Sequence, residues 1–175
     1  MERPLRITIY HANQCDPKRC TGLKLKRHEL ARIVNKTRFL PKRAVVLNPF
    51  SEIAFSPTDR QRIQDFGLVA LDCSWEHAQK VMSAHVKGTS RCLPILIAGN
   101  PVNFGKATKL STVEALAGAL YIAGFKNEAR QLLSIFTWGH TFLELNAEFL
   151  ESYAAAKDST DIVRIQATLG TKSEE

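Results

Sequence analysis

The stretch Leu68-Val69-Ala70-Leu71-Asp72-Cys73-Ser74-Trp75 decides how the chain folds. Four apolar residues stop at an acid, a serine suited to a helix start follows, and a helical pattern then runs from Ser74 to about Val86. So short a run, apolar throughout, is the mark of a strand covered on both faces, as in a parallel sheet packed between helices. Working outward, the same grammar recurs. Leu5–Tyr10 alternates and is β-branched, Ala44–Leu47 stops at Asn48-Pro49, and Leu93–Ala98 runs into Gly99-Asn100, so each is predicted as a strand. Ser56-Pro57-Thr58-Asp59 opens a helix that Gly67 closes. Leu23, Leu30, Ile33 and Val34, with basic residues between them, suit a helix that Pro41 ends. Strands alternating with helices indicate an α/β fold with a mainly parallel sheet. Ligands collect beyond the carboxyl ends of such strands, where Asn48-Pro49, Asp72-Cys73 and Gly99-Asn100 fall.

From Lys109 onward strand patterns cease. Ser111-Thr112-Val113-Glu114 fits a capping box, and Asn127–Phe136, Thr141–Ala156 and Ser159–Gln166 read as helices, with Gly170–Glu175 expected to fray. With 175 residues, the chain fits one compact domain or two small lobes, and 45% hydrophobic content argues against disorder. No apolar run approaches the roughly 18–20 residues that span a bilayer. No export signal precedes the first strand pattern, so a soluble cytoplasmic protein with reduced cysteines and no membrane partner is expected.

Charge is uneven. Between Lys18 and Arg43 ten basic residues face the single acid Glu29, whereas Ser111–Glu175 carries five basic and nine acidic residues. The dense cluster is either a solvated helix face or the footprint of a polyanion, and nucleic acid is favoured because each neutralised phosphate adds sequence-independent affinity. Among reactive residues, His11, Cys15 and Cys20 have no paired partner to complete four metal ligands, so free thiols and no metal are expected. No histidine is fixed beside a cysteine nucleophile, and no P-loop, dinucleotide glycine pattern or serine-hydrolase elbow occurs. His77 and His85 are expected at the solvent face. Asp72 reads as a helix cap or as a functional acid at a strand end. Trp75 reads as core or as an aromatic wall for a flat or cationic ligand. The loop 99–105 leads to a helix start at Ser111-Thr112, whose unpaired amides suit a carboxylate or phosphate.

Three blocks then acquire a common meaning. Cys20-Thr21-Gly22-Leu23-Lys24-Leu25, Leu71-Asp72-Cys73-Ser74-Trp75, and Ala98-Gly99-Asn100-Pro101-Val102-Asn103-Phe104-Gly105, closed by Lys109-Leu110-Ser111-Thr112-Val113-Glu114-Ala115, occur in this order. Together they resemble the archaeal and eukaryotic ribosome-biogenesis aminocarboxypropyltransferases, over roughly Leu5 to Ala156. The resemblance implies an α/β, SPOUT-like fold with a deep trefoil knot near Leu93–Ala115. It divides the chain into an α/β domain, 1–92, and a knotted segment with a helical domain, 93–175.

It further implies transfer of the 3-amino-3-carboxypropyl group of S-adenosylmethionine to N3 of N1-methylpseudouridine in small-subunit rRNA, by a monomer acting on rRNA or a pre-ribosomal particle. Carried over by position, Leu47, Pro49, Trp75, Leu93, Leu110 and Ala115 would pack on the adenine, and backbone groups of Leu93 and Thr108 would read its edge. The Leu71 carbonyl would hold the ribose, Thr21 and the Thr112 amide the carboxylate. Trp75 and Ala78 would bury the methyl group, and Asp72 would meet the uridine N3–H. Lys18, Arg19, Lys24, Lys26, Arg27, Arg43, Arg60 and Arg91 are the candidate phosphate contacts. Two other functions remain open: a knotted methyltransferase using the same cofactor, and a non-catalytic rRNA-binding assembly factor.

Overall fold

A computed structural model describes residues 3–83 and 86–172. Five parallel strands form one sheet in the order β2-β1-β4-β3-β5: β1 Ile7–His11, β2 Arg32–Val34, β3 Val45–Leu47, β4 Leu68–Asp72 and β5 Thr89–Arg91. The period-two alternation of the strands sorts their side chains onto two faces. Ile7, Ile9, Val45, Leu47, Leu68 and Ala70 join one core, whereas Tyr10, Val34, Val46 and Val69 join the other. The first face is covered by α1 (Thr21–Arg27), α2 (Arg60–Phe66) and the long apolar α4 (Thr112–Ile122), and the second by α3 (Trp75–Ser83) through Val81. Beyond α4 lie α5 (Lys126–Ser134), α6 (Gly139–Leu145), α7 (Ala147–Ala154) and α8 (Ser159–Lys172). No described helix is long and apolar enough to cross a membrane.

Four expectations need correction. The basic helix ends at Arg27; His28 caps it, Glu29 turns with φ +58°, and Ile33 and Val34 belong to β2. Both β2 and β5 are three-residue edge strands, β2 opening on exposed Arg32 and β5 wholly polar, without the longer apolar run that marked the others. The helix expected over Thr141–Ala156 is two, α6 and α7, broken at Asn146, and α8 continues through Gly170 to Lys172.

The fourth correction concerns Leu93–Ala98, which is extended but joins no sheet. Its backbone groups are met on one side by helix side chains. Ile95 donates its amide to Gln166 Oε1 at 2.9 Å and accepts from the Tyr153 hydroxyl at 3.0 Å. Ile97 donates to Asn146 Oδ1 at 2.7 Å and accepts from Asn146 Nδ2 at 2.8 Å, so one amide side chain stands in for a neighbouring strand. On the other side Leu96 and Ala98 bond the returning segment: Thr108 donates to the Leu96 carbonyl, and Ala98 to the Lys106 carbonyl.

Candidate active site

The carboxyl ends of β3 and β4 and the segment after β5 converge on one cleft of about 500 Å³, a volume suited to a cofactor-sized molecule. It opens at the carboxyl ends of these two neighbouring parallel strands, where ligands collect in such sheets. Leu47 and Pro49 form one wall, Leu71 and Ala78 another, and Leu93, Thr108, Leu110, Thr112 and Ala115 the rest. Nine of the eleven residues expected from the sequence therefore line it. The side chain of Trp75, the tenth, lies outside the described residues.

Thr21, the eleventh, stands behind the wall. Its hydroxyl accepts the Val113 amide at 3.2 Å and so caps α4, rather than projecting into the cleft. The neighbouring Thr112 amide has no acceptor among the described residues, and Thr112 faces the cleft. A helix-start N–H with its positive dipole is thus presented to whatever occupies the site.

The far wall is held by a buried carboxylate. Glu114, fully buried, accepts the Gly99 and Asn100 amides on Oε1 at 2.7 and 2.9 Å. On Oε2 it accepts Asn100 Nδ2, the Ser111 amide and the Ser111 hydroxyl at 2.7–2.8 Å. One side chain thereby closes the loop 99–111 into a fixed shape. Gly99 makes room for this, since a Cβ there would sit 2.7 Å from the Phe142 amide nitrogen. Thr108 sits at φ +63°, unusual for a β-branched residue, and is held there by its amide bond to Leu96. That bond occupies the Thr108 N–H, so only its carbonyl remains to read an adenine edge.

Asn48 and Cys73, expected at the ligand-binding strand ends, line the cleft, whereas Cys92, Pro94, Leu96 and Lys109 were not expected as wall residues. Their only local signal was proximity to the strand ends. Burial raises the Cys92 thiol above its ordinary range, and burial with the neighbouring Asp72 carboxylate pushes Cys73 up to about 11.

Asp72 lies at the end of β4, paired in register with His11 of β1. It is not a helix cap: Ser74 Oγ accepts the His77 amide, and the Asp72 Oδ2 atom accepts the Cys20 thiol at 3.1 Å. His77 is half-buried rather than at the solvent face; its Nε2 is 2.9 Å from the Tyr10 hydroxyl and its ring stacks on Tyr10. His85 lies outside the described residues.

The expected phosphate contacts divide. Lys18, Arg19, Lys26, Arg27 and Arg43 are exposed, and Lys24 lies over the Phe136 ring at 4.8 Å. Arg60 and Arg91 are engaged inside the fold. Arg60 bonds the Ala123 carbonyl and lies over Phe125 at 4.0 Å, and Arg91 pairs with buried Asp59 at 3.0 Å. With those partners in place, both are set aside as phosphate contacts.

Residues 45–170 match the family model described as ribosome biogenesis protein, C-terminal. The chain is 50% identical over 167 residues to a 16S rRNA aminocarboxypropyltransferase of Methanosarcina mazei, covering 94% of this chain and 95% of that one. It is also 50% identical over 161 residues to the protein of the same name from Methanopyrus kandleri, covering 91% and 95%. Among solved structures it resembles the SAM-dependent rRNA:acp-transferase Tsr3 from Vulcanisaeta distributa, with TM-score 0.84, 36% identity, and 95% and 98% of the two chains covered. Residues 5–38 match a model described as a possible Fer4-like domain in RNase L inhibitor. That span holds only Cys15 and Cys20, and an iron–sulfur cluster of that kind needs four thiolates, so the residues present do not fit one.

Proposed function

The chain belongs to the ribosome-biogenesis family of 16S rRNA aminocarboxypropyltransferases, and on that premise we propose the reaction it performs. It is an S-adenosylmethionine-dependent transferase that alkylates small-subunit rRNA at N3 of N1-methylpseudouridine. The bond from sulfur to the aminocarboxypropyl methylene breaks, a bond from that methylene to N3 forms, the N3 proton leaves, and methylthioadenosine is released. The observation that carries this reading is the cleft at the strand ends, which offers apolar walls for an adenine and a helix-start amide, at Thr112, for a carboxylate.

In this reading the adenine lies among Leu47, Pro49, Leu93, Leu110 and Ala115, with Trp75 and Ala78 around the methyl group and the Leu71 carbonyl at the ribose. All three carbons on a sulfonium are open to attack, so the one placed toward the nucleophile reacts. Burying the methyl turns the aminocarboxypropyl methylene outward. Asp72, whose Oδ1 lacks a hydrogen bond among the described residues, accepts the N3–H in this reading. Lys18, Arg19, Lys24, Lys26, Arg27 and Arg43 hold rRNA phosphates.

We take the enzyme to act as a monomer, as its resemblance to the family implies. We also take the chain to divide near residue 92 and to thread a trefoil knot over 93–115. In support, all five strands precede that point, and α4 packs on α1 and β4 in mid-sheet although the segment leading to it departs from the β5 edge. Pulled by its two ends, a knotted chain extends less than its full contour length, and full extension would remove the knot.

The deciding experiment for the reaction is incubation with small-subunit rRNA and cofactor labelled in its carboxyl group. Label in the RNA establishes aminocarboxypropyl transfer. Methyl label in RNA with no carboxyl label would instead mark a methyltransferase, and no binding of cofactor would leave an assembly factor.

A further inference from the structure

We propose that His11, Cys15, Cys20 and Asp72 form a mononuclear, four-coordinate site for a soft divalent cation of the zinc class. Their ligand atoms all lie within 4.8 Å of one another. His11 Nε2 is 3.2 Å from Cys15 Sγ and 3.4 Å from Cys20 Sγ, and Asp72 Oδ2 is 3.1 Å from Cys20 Sγ and 3.7 Å from His11 Nε2. Zinc bonded to sulfur, nitrogen and oxygen at its usual lengths separates tetrahedral ligand atoms by about 3.3–3.8 Å. Four of the six separations, 3.1–3.7 Å, already approach that spacing, and the remaining two lie within 4.8 Å, so small side-chain movements would bring the set around an ion.

The fold supplies this arrangement from separate places. The parallel register sets His11 beside Asp72, and the loop between β1 and α1 returns Cys15 and Cys20 over them. That loop is fixed by turns in which the Arg19 and Cys20 amides donate to the Asp16 carbonyl. Asn13, at φ +57°, brings its Oδ1 to 3.0 Å and its backbone amide to 3.1 Å from His11 Nδ1, which holds the ring with Nε2 facing the cluster. Gly22 lets α1 begin against the group, since a Cβ there would lie 3.1 Å from Asp72 Oδ2.

His11 and Cys20 are buried and Cys15 is half-buried. Asp72 is half-buried, and as thiols the two cysteines are only weak donors to it and to the buried imidazole. Binding displaces the Cys15 and Cys20 protons to solvent, leaving two thiolates, one carboxylate and a neutral imidazole around the cation. Two thiolates and an imidazole favour zinc over magnesium or calcium. The site lies under the reaction cleft without lining its cofactor walls, and the inference does not depend on the proposed reaction.

The probe is Co(II), added to the full-length protein reduced and stripped of metal. The expected result is one equivalent bound per chain, with the strong visible absorption of tetrahedral cobalt, a thiolate-to-cobalt charge-transfer band, and proton release from both cysteines. Cys15→Ser should roughly halve the charge-transfer intensity, and Cys15→Ser/Cys20→Ser should abolish it. Zn(II) should displace cobalt and raise the thermal midpoint of the wild type but not of the double variant. Circular dichroism and S-adenosylmethionine binding, measured on the same preparations, establish that each variant is folded. A weak octahedral cobalt spectrum, or an unchanged spectrum in the folded double variant, would overturn the site. If the double variant does not fold, Cys15→Ser alone decides, with unaltered charge transfer counting against the proposal.

Discussion

At the scale of single residues, Asp72 has two oxygens with different surroundings. Oδ2 is turned to Cys20 and His11, and Oδ1 has no hydrogen bond among the described residues. Asp72→Asn keeps the shape but replaces one acceptor oxygen by a donor. Transfer to rRNA should fall by about 10²-fold or more, the range for losing a positioned proton acceptor, while cofactor affinity changes little. An unchanged single-turnover rate would remove Asp72 from the reaction. Cys92 offers a second measurement. Burial raises its thiol, so alkylation at pH 8 should be slow, and its rate should keep climbing past the pH at which a free cysteine peptide levels off. Because Cys92 lines the cleft, S-adenosylmethionine should slow it further, as read by peptide-resolved mass spectrometry.

At the scale of elements, the decisive piece is the extended segment 93–98. Its period and composition were legible as buried extended chain, but nothing local told what its backbone would bond. Asn146, Tyr153 and Gln166 answer that from helices whose own patterns gave no hint of it. Asn146→Leu leaves the Ile97 N–H and C=O buried without partners, at about 1–3 kcal/mol for each orphaned group. A clearly lower urea midpoint and weaker cofactor binding should follow, whereas Tyr153→Phe, which removes one bond, should cost about 1 kcal/mol.

The tie between α4 and α7 behaves differently. The Tyr121 hydroxyl donates to Glu151, and with Lys126 it holds that carboxylate below its usual range. Stability from a lowered acid is present above its ordinary pKa and is lost as pH falls through the lowered one. The difference in thermal midpoint between wild type and Tyr121→Phe should therefore be visible at pH 7 and vanish in acid. A difference that persists unchanged at low pH would mean that Glu151 contributes nothing through its charge.

At the scale of the molecule, charge separates basic α1 and its neighbouring loop from the acidic helical half. Replacing two of Lys18, Arg19, Lys26 and Arg27 should reduce the slope of log K for RNA against log salt, with cofactor affinity unchanged. The expected reduction is about 0.7–0.9 for each phosphate deprived of its cationic side chain. This asymmetry was legible in the sequence, as were the three apolar strands and the place of the cleft at their ends, because each is a local pattern, whereas most of the individual wall residues came from the family resemblance. The short edge strands β2 and β5 were not, since their place is fixed by the neighbours they bond. Nor was the fourth member of the His11, Cys15, Cys20 group. Asp72 stands 52 residues from Cys20, and only the parallel register of β1 and β4 brings it there.

The dependence of residues 93–98 on Asn146, Tyr153 and Gln166 has a temporal meaning as well. During synthesis the sheet and the first half of the cleft can form early, but the wall that completes it stays without partners until residue 166 has left the ribosome. Nascent and C-terminally truncated chains should therefore carry the basic face without a finished cofactor cleft. They would bind RNA and modify nothing, so competence waits on the helical segments that carry Asn146, Tyr153 and Gln166.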